Sequence, residues 1–279
     1  MIKSILLAVD GSVYTDSVVA HGIELAKLLT AHLRVYSIVD VRIYEWVLNT
    51  GGEGYMPVIP SNIFHDESYK FHNQRAEALL KTVGEQLHKE KVSFEIGKLE
   101  GSPVELICDM ARQVDLVIMG ARGDYARWGD RLLGATLESV SRQISVPLMI
   151  VDKKYRGIKS VTCAYDRSEY SNQALKLSAY LAGALKLSLE VINVNDDEQD
   201  RQVILNEAKN YLSPYHLSTK YRAEGGDPGE QLIRITNEIL EPTVLVMGSY
   251  GHSRIREAIL GSTTVQVMRK AAKPIILTK

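Results

Sequence analysis

Thr243-Val244-Leu245-Val246-Met247-Gly248-Ser249-Tyr250-Gly251, followed after nine residues by Gly261-Ser262, decides the fold. The first five residues, four of them apolar, read as a buried strand. A glycine loop, G-x-x-G-x(9)-G-S, follows, and then a helix. Glycine lets a backbone approach a ligand closely and take positive φ. A helix opening near Gly261 aims free N–H groups and a positive dipole end at an anion, most naturally a phosphate. Such a pattern alone fits a turn plus a helix cap equally well.

The pattern occurs twice. Leu116-Val117-Ile118-Met119-Gly120-Ala121-Arg122-Gly123 is the earlier copy. Both copies run into a proline-containing strand, Val146-Pro147-Leu148-Met149-Ile150 and Lys273-Pro274-Ile275-Ile276-Leu277. Upstream, Gly101-Ser102-Pro103-Val104-Glu105 echoes Gly226-Asp227-Pro228-Gly229-Glu230. Each reads as a capping box, with Ser102 or Asp227 at the N-cap, proline at N1 and glutamate at N3. Each half also opens on a strand that leads to an aspartate, Asp10 and Asp166. Matched signals in matched order imply an internal duplication, with domains at residues 1–153 and 157–279.

The halves differ in length between these landmarks. Asp10 and Gly101 are 91 positions apart, against 60 for Asp166 and Gly226. The extra residues fall at roughly 40–70, where Tyr44, Trp46, Tyr55 and Phe64 are interleaved with glycine and proline. Loops of that length are often functional. The stretch reads as a mobile flap or interface segment, too short to bury a core of its own; a permanently packed lid is the alternative.

A chain of 279 residues with 45% hydrophobic content supports two cores. The formal net charge of −1 argues against a general nucleic-acid or membrane-surface binder. Cys108 and Cys163 form no CxxC and read as reduced core residues, so a cytoplasmic location is expected. In the second half, strands are expected near 158–165, 187–194, 217–223, 243–248 and 273–278. Helices are expected near 169–186, 198–213, 228–240 and 260–271. Leu177, Leu181 and Leu185 give one amphipathic stripe, and Val18, Gly22, Leu25 and Leu29 another. Strands without polar alternation suit a parallel sheet buried on both faces. The fold class is therefore α/β: two tandem Rossmann-like, doubly wound domains. Ligands in such folds sit at strand carboxyl ends, where Asp10, Asp166, Gly120 and Gly248 all lie.

Each candidate residue also has a structural role to weigh. Asp166 can meet a nucleotide or cap the next helix. Ser262 can bond a phosphate or serve as an N-cap. His252, Arg254 and Arg256 can neutralise phosphate or form a solvated surface. No GxxxxGK[ST], HExxH or GxSxG occurs, and the seven histidines form no metal-ligand cluster with cysteine or aspartate.

Taken together, the strand-end aspartate, the G-x-x-G-x(9)-G-S loop and the closing proline strand resemble the universal stress protein family, as a tandem pair spanning the chain. The resemblance implies a five-stranded parallel sheet in each half and a bound adenine nucleotide, commonly ATP, with or without Mg. It also implies dimer-like packing of the halves through their last strands, leaving a further homodimer open. Carried over, Asp166 and Val194 face the base, Gly248 and Gly251 line ribose and phosphates, and Gly261, Ser262 and Thr263 hold phosphates. The corresponding first-half positions are Asp10, Gly120, Gly123, Gly134 and Thr136. There the pattern departs: ten residues separate Gly123 from Gly134, Ala135 replaces the serine, and Gly129 and Asp130 enter the segment. The extra residue is expected to displace the helix start, making the second half the main site.

Three functions follow. The leading one is a cytoplasmic ATP-binding regulator of stress response, acting on an unidentified protein partner. The second is a slow ATP hydrolase or phosphotransferase, for which only Glu257 stands near enough to suspect as a base. The third is a nucleotide-independent scaffold.

Overall fold

The computed structural model describes residues 1–40, 62–123, 133–250 and 260–279. The first half contains β1 (Ser4–Val9), α1 (Thr15–Leu29), β2 (His32–Val39), α2 (Asn62–Lys89), β3 (Phe94–Glu100), α3 (Pro103–Ala111), β4 (Leu116–Gly120), α4 (Ala135–Gln143) and β5 (Leu148–Val151). The second contains β6 (Ser160–Ala164), α5 (Glu169–Leu185), β7 (Ser188–Val194), α6 (Glu198–Leu212), β8 (Thr219–Glu224), α7 (Pro228–Glu238), β9 (Thr243–Gly248), α8 (Ser262–Lys270) and β10 (Ile275–Thr278).

The strand order is β3-β2-β1-β4-β5-β10-β9-β6-β7-β8. Each half is a five-stranded parallel sheet of one topology. The two are joined by an antiparallel β5–β10 pair, in register Ile275 with Ile150, Ile276 with Met149 and Leu277 with Leu148. The last-strand pairing expected from the resemblance thus occurs within the chain. All four residues of β5 and of β10 are buried, whereas the outer strands β3 and β8 are half-exposed. Lys98 on β3 pairs with Glu77, and Arg222 on β8 with Glu224 and Glu238. Charged outer edges discourage further strand addition.

Two apolar layers cover the sheet, and each runs through both halves. One gathers Leu25, Leu33 and Leu87 with Leu175 and Leu189; the other gathers Ile107, Val117 and Leu137 with Leu232 and Val267. Reciprocal hydrogen bonds tie the halves together. The Ile2 N–H donates to the Tyr180 hydroxyl (2.9 Å), and the Ile158 N–H to Glu24 Oε1 (3.1 Å).

Two local expectations change. Asp227 caps α7, accepting from the Glu230 N–H at 2.9 Å, but Ser102 sits at the N-cap of α3 without a side-chain cap bond. The added stretch at 40–70 is also reassigned in part. Residues 41–61 lie outside the described residues, and residues 62–70 form the opening turns of the 28-residue helix α2. The Tyr69 hydroxyl donates to Glu100 Oε2 at 2.6 Å, fixing that extension against the end of β3. Cys163 is buried, and burial pushes its thiol up to about 12; Cys108 is only half-buried, and both are free.

Because the halves share one sheet, chemical denaturation should give one transition. Ile276→Ala should destabilise the whole chain by about 2–5 kcal/mol, the usual cost of truncating a buried aliphatic side chain. Two separable transitions in urea would show that the seam does not couple the halves.

His21 is fully buried in α1, where its Nδ1 donates to the Ser17 carbonyl (2.7 Å) and its ring packs edge-on against Tyr155. Burial holds the imidazole below its ordinary value of 6.5. The unfolded chain therefore protonates first as pH falls, and this contribution to stability is lost from about pH 6.5 downward. Glu24, raised by burial, titrates with the opposite sign. His21→Leu, which installs the residue of the matching second-half position Leu177, should flatten the acid-side loss of stability. Urea midpoints at pH 7.5 and 5.5 for both proteins test this.

Candidate functional site

In each half the first strand lies between neighbours reached by crossovers in opposite directions, β2 and β4 around β1, β7 and β9 around β6. The carboxyl end of that strand is the switch point of the sheet. Asp10 and Asp166 follow it, and each borders a cavity, of about 460 Å³ in the first half and about 550 Å³ in the second. Both volumes suit a small-molecule ligand.

The second cavity brings together Asp166, Val194, Gly248, Gly261, Ser262 and Thr263. Gly251, His252, Arg254, Arg256 and Glu257 lie outside the described residues. Asp166 does not cap the helix. The N-cap of α5 is Ser168, whose Oγ accepts from the Ser171 N–H (3.3 Å). Asp166 Oδ1 instead accepts from the Ser168 N–H at 3.0 Å. Between them, Arg167 takes φ +71°, as Gly11 takes φ +74° in the first half. The turn needs a left-handed residue, which is strained for a side chain larger than glycine. A two-pronged ion pair to Glu207, at 2.8 and 3.0 Å, holds Arg167 there.

Ser262 is not the N-cap of α8 either. Gly261 is, and it makes no side-chain cap bond. The first-turn N–H groups that the helix leaves unpaired thus open toward the cavity, with the Ser262 and Thr263 side chains in its lining. The Gly261 N–H donates to the Ser249 carbonyl (3.3 Å), and the Thr264 hydroxyl to the carbonyls of Gly248 and Ser249 (3.3 and 3.1 Å). These bonds fix the helix start against the strand end.

Gly248 borders the cavity, but its missing side chain serves packing. A Cβ there would sit 2.9 Å from Tyr170 Cβ and the Ser171 nitrogen, and at Gly120 it would sit 2.5 Å from Tyr14 Cβ. The glycine lets the start of α5, or of α1 in the first half, cross the strand end.

The first cavity gathers Asp10, Gly120, Gly123, Gly134 and Thr136. Asp10 Oδ1 accepts from the Ser12 N–H (3.0 Å), and a Cβ on Gly123 would meet Asp10 Oδ2 at 2.8 Å. The expected displacement of the helix start does not occur. The Gly134 N–H donates to the Ala121 carbonyl at 3.2 Å, the counterpart of the Gly261–Ser249 bond. Residues 124–132 of this loop lie outside the described residues. Thr136 falls at the place of Thr263.

Sequence reading missed three contributors. Asn193, next to last in β7, lines the second cavity; its Nδ2 donates to the Tyr165 carbonyl (2.8 Å), while its buried Oδ1 has no partner among the described residues. A polar residue inside Leu189-Glu190-Val191-Ile192-Asn193-Val194 was the available signal. The others are Asp200 on α6 and Arg75 on α2, which border their cavities only because the helices pack there.

Fold and site together define an α/β protein with a ligand cavity at the switch point of each half. The model of the Universal stress protein family matches residues 1–152 and 195–279, and the chain belongs to that family. Universal stress protein Slr1230 of Synechocystis sp. is 28% identical over 285 residues, covering 98% of this chain and 99% of that protein. The crystal structure of a universal stress protein from Archaeoglobus fulgidus covers 99% of this chain and 98% of its own, with a TM-score of 0.77 at 21% identity. A universal stress protein solved in complex with cAMP aligns to 43% of this chain and 96% of its own, with a TM-score of 0.38 at 23% identity. Among the described residues, no helix is long and apolar enough to cross a membrane.

Gly248→Ala should act as a folding mutation, because Tyr170 and the α5 backbone occupy the added methyl's place. Thermal melts should fall by several degrees without any ligand present, the scale of a loss of 1–3 kcal/mol from overpacking. An unchanged melting temperature would return Gly248 to a purely ligand-lining role.

Proposed function

We propose that the chain is a cytoplasmic, adenine-nucleotide-binding regulator of stress response, with ATP held mainly by the second domain. The observation that carries the reading is the second cavity. There a strand-end carboxylate, Asp166, and the uncapped start of α8 border one space of about 550 Å³. The helix start suits phosphates. Asp166 and the Asn193 Oδ1 acceptor suit the amino and hydroxyl donors of a nucleoside. A buried acceptor without a donor costs free energy that a bound donor recovers. In this reading Val194 serves the base side and Gly248, Gly261, Ser262 and Thr263 the ribose and phosphates, with Gly251, outside the described residues, assigned to the same set by the motif. Among the described residues, no three His, Cys, Asp or Glu side chains converge to hold a metal. In this reading Mg enters with the phosphates of ATP rather than on a protein cage.

Calorimetric titration with ATP should give about one tight site per chain. Asp166→Ala should weaken binding by roughly 1–3 kcal/mol, the range for a lost hydrogen bond to a charged group. Asn193→Leu should weaken it by about 1 kcal/mol, with circular dichroism unchanged for both. Two equivalent tight sites would refute the asymmetry, and normal binding by both variants would refute the site. ATP and ADP quantified over time in the loaded protein read whether hydrolysis accompanies binding.

A further inference from the structure

The two cavities share one frame but not one lining. Aligning Asp10 with Asp166, Gly134 with Gly261, and the buried stripe Leu80, Val83, Leu87 of α2 with Leu205, Ala208, Leu212 of α6 gives matched wall positions. At these, Asn195, Ser262 and Thr264 of the second cavity are replaced by Val39, Ala135 and Leu137 in the first. Arg201, whose guanidinium donates to the Asn195 and Asp196 carbonyls beside the second cavity, is replaced by Ala76. One change inverts charge: Asp200 becomes Arg75. Arg75 lies over the strand end, donating to the Gly11 carbonyl at 3.1 Å. Arg122, His72, Asp10 and Asp40 also line this cavity.

We propose that the first-domain cavity is a binding site for a second class of ligand, an apolar-bodied anion such as a medium-chain carboxylate. Three wall positions that carry polar side chains in the second cavity are apolar here, so a polar ligand finds fewer partners while an aliphatic body loses nothing. The body lies among Ala76, Leu79, Ile107 and Leu137. The anionic end lies toward Arg75, where the second domain would present a repelling carboxylate. The chain then reads two chemically different ligands on one continuous sheet.

Dodecanoate titrated calorimetrically into the full chain tests this, with and without saturating ATP. The expected result is one dodecanoate per chain, with an affinity that ATP leaves unchanged. Arg75→Asp should weaken dodecanoate at least tenfold, the order for losing a charged partner. Ala76→Arg should abolish binding by filling the cavity. Both substitutions install what the matching position of the second domain already carries. Should Ala76→Arg fail to fold, as judged by circular dichroism, Leu137→Thr carries the same test with an expected severalfold loss. Dodecanol binding as tightly as dodecanoate would overturn the anionic end. Failure of dodecanoate to bind, its displacement by ATP, or unchanged binding in the cavity variants would overturn the site. The first-domain variants give the readout, so the result stands apart from whether the second domain binds ATP.

Discussion

The structure depends on the antiparallel pairing of β5 with β10. Each half ends in a short, wholly buried strand that would be an exposed sheet edge if the half stood alone. An unpaired edge of that kind leaves a row of N–H and C=O groups open and invites association. Pairing Ile275, Ile276 and Leu277 with Ile150, Met149 and Leu148 satisfies both edges at once. It also merges two small sheets into one of ten strands, whose apolar layers run through both halves. The outer edges are left to β3 and β8, where charges are tolerated because one side of each strand is unpaired.

That seam fixes where function can reside. With the last strands consumed by pairing, the remaining irregularity in each sheet is the switch point at β1 and β6. The chain crosses in opposite directions there, and the helix N-termini and strand-end aspartates converge. Duplication therefore yields two cavities with the same backbone frame. The frame is conservative because its bonds are backbone bonds: Gly134 to Ala121 repeats Gly261 to Ser249 despite a residue more in the first loop. The lining is free to diverge, since the backbone bond alone recurs in both halves, and even the Thr264 hydroxyl that helps to hold α8 has no counterpart at Leu137. Val39, Leu137 and Arg75 against Asn195, Thr264 and Asp200 show how far it has done so.

The half-buried polar groups between the halves belong to the same arrangement. Glu24 and Tyr180 occupy matched positions and each receives a backbone N–H from the start of the other half. Packing α1 against α5 half-buries these side chains, and the reciprocal bonds offset their desolvation.

The sequence by itself determined the duplication, the α/β class and the element order. β9 is legible to the residue, because an apolar run between Pro242 and Gly248 can form a buried strand and little else. It also located Asp166, Ser262 and Thr263 at the carboxyl end of the sheet, since strand-loop-helix order dictates that end. Only the tertiary structure decided what those residues do. Whether Asp166 or Ser168 caps α5, and whether Gly261 or Ser262 caps α8, depends on backbone angles that both residue types permit. Gly248 looked like a ligand-approach glycine, and its role in packing appears only once Tyr170 is seen against it. The partners of the cavities, Asn193, Asp200 and Arg75, come from elements distant in sequence, which only packing brings to one place. The missing displacement in the first half has the same cause: hydrogen bonds across the loop, rather than the count of residues within it, set where the helix begins.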